Sequence, residues 1–333
     1  MTPWLLSALV ALLPMSLSAH LAKAEWTWRH PRAALALWQA IALSAGLGAI
    51  TAGLVAAVAP LDAVFPHGMH TFVRGLASGH GLHGLGPAEF AALTWSAGVL
   101  VWLVAHTLKA AYTALAERRR QRLLIDVAAE HLPDVDVYVL PSARRLAYCV
   151  PGAGGRVVLS QGAIDSLSPA ELQAVLRHER AHARGRHDLV LLPFVALSGA
   201  FGWVPFARTA RQAVAVLLEM IADDHARDPI PLAHALVTMA SPAPAGGLGA
   251  ADAGVVERVR RLLARGRRAV WWVSVLVYSS ALAVLSGPVV VLVAPWLWWD
   301  CHPSADLLSC VPDEQVASMF ARAAFSLTVT DSR

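Results

Sequence analysis

Four stretches of the chain run for about 20 residues or more with scarcely a charged side chain, the length a helix needs to cross the hydrocarbon of a bilayer. They fall at residues 3–22, 35–59, 91–113 and 269–297. A fifth apolar stretch, 188–207, is interrupted by Pro193 and Pro205 and is borderline. A soluble domain has no way to bury so much apolar chain: 56% of the 333 residues are hydrophobic, 15% are charged, and the mean hydropathy is +0.53. The expected fold class is a mainly α membrane protein with about four transmembrane helices, its first partner the lipid bilayer. The first run has two readings, a signal peptide or a retained span. Residues 19–24 are small enough for a cleavage site, but residues 1–21 carry no Lys or Arg to make the basic segment a signal peptide needs, and a retained span fits better.

Basic residues beside spans mark the cytoplasmic face. Lys23, Arg29 and Arg32 follow the first run, RRRQR occupies 118–122, and RVRRLLARGRR occupies 258–268. The loop at 60–90 has only Arg74, and the tail after Trp299 is mainly acidic. The expected organisation is three N-terminal spans within residues 1–115 with an exterior loop at 60–90, a cytoplasmic domain at 116–268, a last span at 269–299 and a short exterior tail at 300–333. This multi-pass arrangement requires that 188–207 stop short of crossing, so that stretch is expected to be membrane-associated or buried. Cys301 and Cys310 lie in the tail and Cys149 in the reducing interior; a Cys301–Cys310 disulfide and two free thiols are both open. The net charge of +4 comes from arginines beside the membrane, which signals topology and lipid contact with no separate nucleic-acid patch.

Within 116–268, alternating apolar and polar residues at 135–140, 146–150 and 157–160, separated by turn formers, predict a small sheet or hairpin. Helical periodicity then begins at Ser168, where Ser168, Pro169 and Glu171 supply an N-cap, a first-turn proline and a capping-box carboxylate. This helix carries His178, Glu179 and His182. Residues four apart share a helix face, so the two imidazoles can take two corners of one zinc tetrahedron with Glu179 beside the metal as a general base. A solvated polar face is the plainer alternative, since Arg177, Arg180, Arg184 and Arg186 are close by.

A catalytic zinc keeps three protein ligands and one open position, so a third ligand is expected downstream. Glu219 and Asp223 share one face of the segment LLEMIADDHA. Glu219 suits the metal, and Asp223 suits the far nitrogen of a zinc-bound histidine. His187 and His225 flank the two motifs; a fourth ligand would close the site, so they are expected to be structural, with His225 as a possible transition-state stabiliser. The pairs His67/His70 and His80/His83 are read as scattered histidines in a Gly-rich loop, Trp296, Trp298 and Trp299 as an interfacial belt, and 241–251 as a flexible loop.

The chain resembles the BlaR/MecR family of membrane zinc peptidases. The likeness rests on the spans, on AYCVPG and the VVLSQGAIDSLSPAELQAVLRHERAHARGRHD stretch ending at Asp188, and on ExxAD from Glu219 to Asp223. It implies a cytoplasmic α+β gluzincin-like domain, Zn held by His178, His182 and Glu219, Glu179 as base, a bacterial cell-membrane location and, as substrate, a protein such as a BlaI-like DNA-binding repressor cleaved in a signalling pathway. β-Lactam sensors of the family carry a penicillin-binding domain after the last span, and here only residues 300–333 follow it. Two alternatives are an HtpX-like quality-control protease, which normally has two spans between the motifs, and a non-catalytic zinc sensor, for which Glu179 would have no use. The strand at 157–160 is expected to hold substrate by edge pairing. The oligomeric state, the signal and the cleavage site are left open by the sequence.

Overall fold

The computed structural model of the protein describes residues 12–300 except 14, 62–64, 80–84, 153, 241–249 and 265–269. Half of the first apolar run, His80, His83, the cysteines at 301 and 310 and most of 241–251 therefore lie outside the described residues, as do the side chains of Trp296, Trp298 and Trp299. The chain divides into two compact units, Met1–Ala57 with Gly86–Val289, and Val58–Leu85 with Val290–Arg333.

The described part of the second unit contains one helix within the expected exterior loop, Phe65–Ala77. The Gly-rich composition suggested irregular chain there. Instead His67 and His70 sit on a helix that contains Gly68 and Gly75.

The described residues of the first unit include two short helices, α1 (Ser18–Lys23) and α2 (Glu25–Arg29), followed by α3 (Pro31–Val58). With Phe65–Ala77 numbered α4, the next helix is α5 (Pro87–Ala128), and the last among the described residues is α12 (Trp271–Asp300). Among the described residues three helices are long and apolar enough to cross a membrane: α3, α5 and Trp271–Val290 of α12. α3 and α5 cross closely where small residues allow it. A Cβ on Gly53 would lie 2.6 Å from Ser96 Oγ and 2.8 Å from the Ala92 carbonyl oxygen. Ser96 Oγ donates to the Ile50 carbonyl (2.7 Å) and Trp95 Nε1 to that of Ala49 (3.2 Å), satisfying polar groups that hydrocarbon would leave unpaired.

After α5 the chain forms a four-stranded sheet from β1 (Glu130–Leu132), β2 (Val137–Leu140), β3 (Ala147–Val150) and β4 (Arg156–Ser160), in the order β1-β2-β4-β3. β4 runs parallel to β2 and antiparallel to β3. Both edges of β4 are therefore used, which overturns the expectation that 157–160 pairs with substrate; β1 and β3 are the strands at the sheet's edges. Val137, Val157 and Leu159 on one face pack with Leu167, Val175 and Leu176.

Helices α6 (Gln161–Ser166) and α7 (Pro169–Gly185) follow. The capping box forms as its sequence predicts: Ser168 Oγ accepts from the Glu171 N–H (3.4 Å) and Glu171 Oε2 accepts from the Ser168 N–H (2.8 Å). Such a cap stabilises a helix start by about 1 kcal/mol. The apolar stretch 188–207 becomes α8 (His187–Ala200), a turn, and the start of α9 (Pro205–Asp223), so the chain runs out along α5 and returns. Phe206, Ala210, Val214, Leu217, Leu218 and Ile221 recur at helical spacing on α9 and pack with Ala34, Trp38 and Ile41 of α3 and Phe194 of α8. Two further helices, α10 (Pro229–Met239) and α11 (Ala250–Leu263), close the far side.

Candidate metal centre

Helix α7 presents His178 and His182 one turn apart, and the return of α9 brings Glu219 against them. His178 Nε2 lies 3.1 Å from His182 Nε2 and 3.3 Å from Glu219 Oε2, and His182 Nε2 lies 3.5 Å from Glu219 Oε1. A tetrahedral zinc with ligand bonds of about 2.0–2.1 Å places neighbouring donor atoms about 3.3 Å apart. The three donors fit that edge length within a few tenths of an ångström. Among the described residues they are the group of His, Cys, Asp and Glu arranged to hold a metal ion.

The surroundings fix the donors. Asp223 is fully buried, and its Oδ1 is 3.0 Å from His178 Nδ1, which has no aligned hydrogen-bond partner in this arrangement. A small turn of the ring would complete that bond and aim Nε2 at the shared point. On the other imidazole, His187 Nδ1 lies 2.9 Å from His182 Nδ1. The turn between α7 and α8 makes this possible. Arg186 takes a left-handed conformation (φ 47°), and a Cβ on Gly185 would come within 2.5 Å of the His187 ring. Burial, with His182 beside it, pushes His187 down to about 4, so the ring is neutral and its Nδ1 can accept a hydrogen bond from the His182 Nδ1–H.

Electrostatics set the acid–base character of the carboxylates. Burial raises the Glu179 carboxyl above its ordinary range, an effect partly opposed by His178 and His182. For Asp223, burial alone would raise the carboxyl, but Arg258 and His178 more than offset it and hold it low. Burial would likewise lower His178, yet Asp223 and Glu219 outweigh it and raise the ring to about 9. A metal ion would have to displace that proton.

Arg258 is the site residue that sequence reasoning missed. It comes from α11 and is 8% exposed. Nε and Nη2 donate to Asp223 Oδ2 (2.9 Å) and Oδ1 (2.7 Å), and Nη1 lies 3.0 Å from Glu219 Oε2. In the sequence it begins an arginine-rich run that reads as a membrane-flanking charge. The available signal was its spacing from Val255, Val259 and Leu262, which makes α11 amphipathic. His225 is not brought to the donors in the same way: its Nδ1 faces the Ile221 carbonyl oxygen at 3.0 Å, and it does not line the cleft.

The cleft has a volume of about 480 Å³. His178, Glu179, His182 and Glu219 form its floor, Ala147, Tyr148 and Cys149 of edge strand β3 form one wall, and Leu232, Leu236 and Met239 of α10 contribute another. No curated protein and no solved structure matches the chain. The model of peptidase family M48 matches residues 113–232, from the last part of α5 to the first turn of α10. The match contains the donor triad, Glu179 and Asp223, and stops short of Arg258. It supports the resemblance at the level of a metallopeptidase and not at that of the BlaR/MecR group: residues 113–232 are similar to the metallopeptidases of family M48.

Proposed function

We propose that the protein is a membrane-embedded zinc endopeptidase with its cleft on the cytoplasmic side. One observation carries the reading: three donor atoms on two helices lie at the edge lengths of a zinc tetrahedron, with the carboxylate of Glu179 on the same cleft floor. His178, His182 and Glu219 would hold the ion, which supplies a Lewis acid able to polarise a carbonyl and acidify a water. Glu179 takes the proton from the attacking water and delivers it to the leaving amine. Its raised affinity for protons suits a group that must do both. Asp223 and His187 orient the two imidazoles, and Arg258 fixes both Asp223 and Glu219. An extended substrate would add to the free edge of β3, with an apolar side chain against Leu232, Leu236 and Met239.

For the substrate, the BlaR/MecR resemblance supports a cytoplasmic DNA-binding repressor, released from function by cleavage when an envelope signal shifts the spans. The test expresses the chain with the repressor encoded beside its gene and follows repressor length by immunoblot under envelope stress. Loss in wild type and persistence with Glu179→Gln is expected; equal loss in both removes the signalling assignment. A second reading, turnover of membrane proteins as in HtpX-like proteases, gains from one observation. Two helices, α8 and α9, run out and back between the motifs, which narrows the difference in layout noted in the sequence.

A further inference from the structure

From the register of α8 against α5, we infer that the α8–α9 hairpin enters the bilayer tip-first from the inner face and stops within it, its tip contacted by lipid acyl chains. The inference rests on the reading of α5 as a membrane span. Residues 90–108 of α5 carry no Asp, Glu, Lys or Arg, and at 1.5 Å per residue they cover about 28 Å, the thickness of the hydrocarbon layer. Lys109 then marks the inner boundary. α8 runs antiparallel to α5: Asp188 at its start pairs with Arg118, beyond Lys109, whereas its last residue, Ala200, accepts a hydrogen bond from Trp102 Nε1 at 3.2 Å. Gly199 faces His106. Trp102 lies seven positions before Lys109 in the sequence, so the end of α8 sits about 10 Å inside the layer.

The tip is built for an apolar medium. From Leu189 to Ala207 there is no charged residue. Where α8 ends, the Ala200 carbonyl, which would otherwise lack a partner, takes the Trp102 indole N–H, and the Phe201 and Val204 N–H groups bond to the Leu197 and Phe201 carbonyls. Pro205 at the first position of α9 has no N–H to leave unpaired. Trp203 is 77% exposed. Beside the tip lies a cavity of about 520 Å³ lined by Ala49, Gly53, Trp95, Leu103, Phe201 and Trp203 among others, with no charged residue in its wall. Water has no partners there, and a lipid chain does. The first charges on the return, Arg208 and Arg211, are exposed and are placed to reach the interface by extending their side chains.

The test uses the full chain with Cys149, Cys301 and Cys310 changed to Ser, reconstituted in phosphatidylcholine vesicles and labelled with an environment-sensitive fluorophore at one introduced cysteine. Trp203→Cys reports the tip, with Phe201→Cys as a second tip position. Val101→Cys on α5 and Arg227→Cys past α9 serve as references. Tip labels should be quenched by doxyl-labelled acyl chains as Val101 is, and about tenfold less by aqueous iodide than Arg227. If Val101 itself escapes the lipid quencher, the span reading fails. If Val101 is lipid-quenched while both tip labels follow Arg227, the span stands and the hairpin proposal is overturned.

Discussion

Two arginine-rich stretches that look alike in the sequence have different roles in the fold. Residues 118–122 continue α5 beyond its apolar part, and there Arg120 remains largely exposed, with only a long contact to Glu117 (3.7 Å). Residues 258–261 lie on α11, where Arg258 is buried against Asp223 and Glu219. Arg261 donates to the Trp28 and Met220 carbonyls and to Asp224 Oδ1 at 2.6, 3.2 and 2.7 Å. The difference teaches that arginines flanking an apolar helix need not share one role: Arg118 pairs with the half-buried Asp188 and Arg120 stays at the surface, whereas Arg258 is buried with the fully buried Asp223. α9 ends on Asp223, with Asp224 as the residue that caps it, both on the surface that α11 covers, and this turns the second run into a clamp.

The largest break in this comparison should come from Arg258→Ala. It strands the fully buried Asp223 carboxylate and should cost about 3 kcal/mol of stability, measured by thermal or denaturant unfolding in detergent; the Glu219 side chain is 39% exposed and adds little. Arg258→Lys should recover only part of that, because an ammonium cannot reproduce the fork to Asp223. Arg261→Ala should cost less, about 1–2 kcal/mol, since its partners are two carbonyls and a partly exposed carboxylate. Arg120→Ala should change stability by under about 0.5 kcal/mol. If Arg120→Ala proved as damaging as Arg258→Ala, the distinction between the two runs would collapse.

The edge strand offers a smaller test. Cys149 lines the cleft and is pushed up to about 11, by burial first and then by Glu179 and Asp188. A thiol raised above its ordinary value is protonated at neutral pH and gains its reactive form only as pH climbs toward that value. Alkylation of Cys149 should therefore be slow at pH 8 and still accelerating at pH 10. A rate that levels off near pH 9 would show that neither burial nor the carboxylates of Glu179 and Asp188 raise the thiol.

Much of the site was legible because its chemistry is local. Ser168, Pro169 and Glu171 announce the start of α7, and His178 to His182 spans one helical turn. Glu219 stands out because it interrupts the otherwise apolar run Leu217–Ala222, and Asp223 because it follows Glu219 one helical turn later. What the sequence hid depends on contacts between distant segments. β1 is a three-residue, exposed strand with no alternation to betray it. β4 reads as a strand, but its central place comes from pairing with β2 on one side and β3 on the other, a choice made by the sheet as a whole. His187 gains its role from a left-handed Arg186 and the missing side chain at Gly185. The register of α8 against α5 follows from where Trp102 and Arg118 meet it, which neither segment shows by itself.

Metal content and proteolysis in three variants, measured side by side on purified protein, test the central claim most directly. Wild type and Glu179→Gln should each hold about one zinc per chain, with peptide hydrolysis abolished only in the latter, because the base is not a ligand. His178→Ala and Glu219→Ala should lose both metal and activity. Full hydrolysis by Glu179→Gln, or a full complement of zinc in Glu219→Ala, would contradict the account.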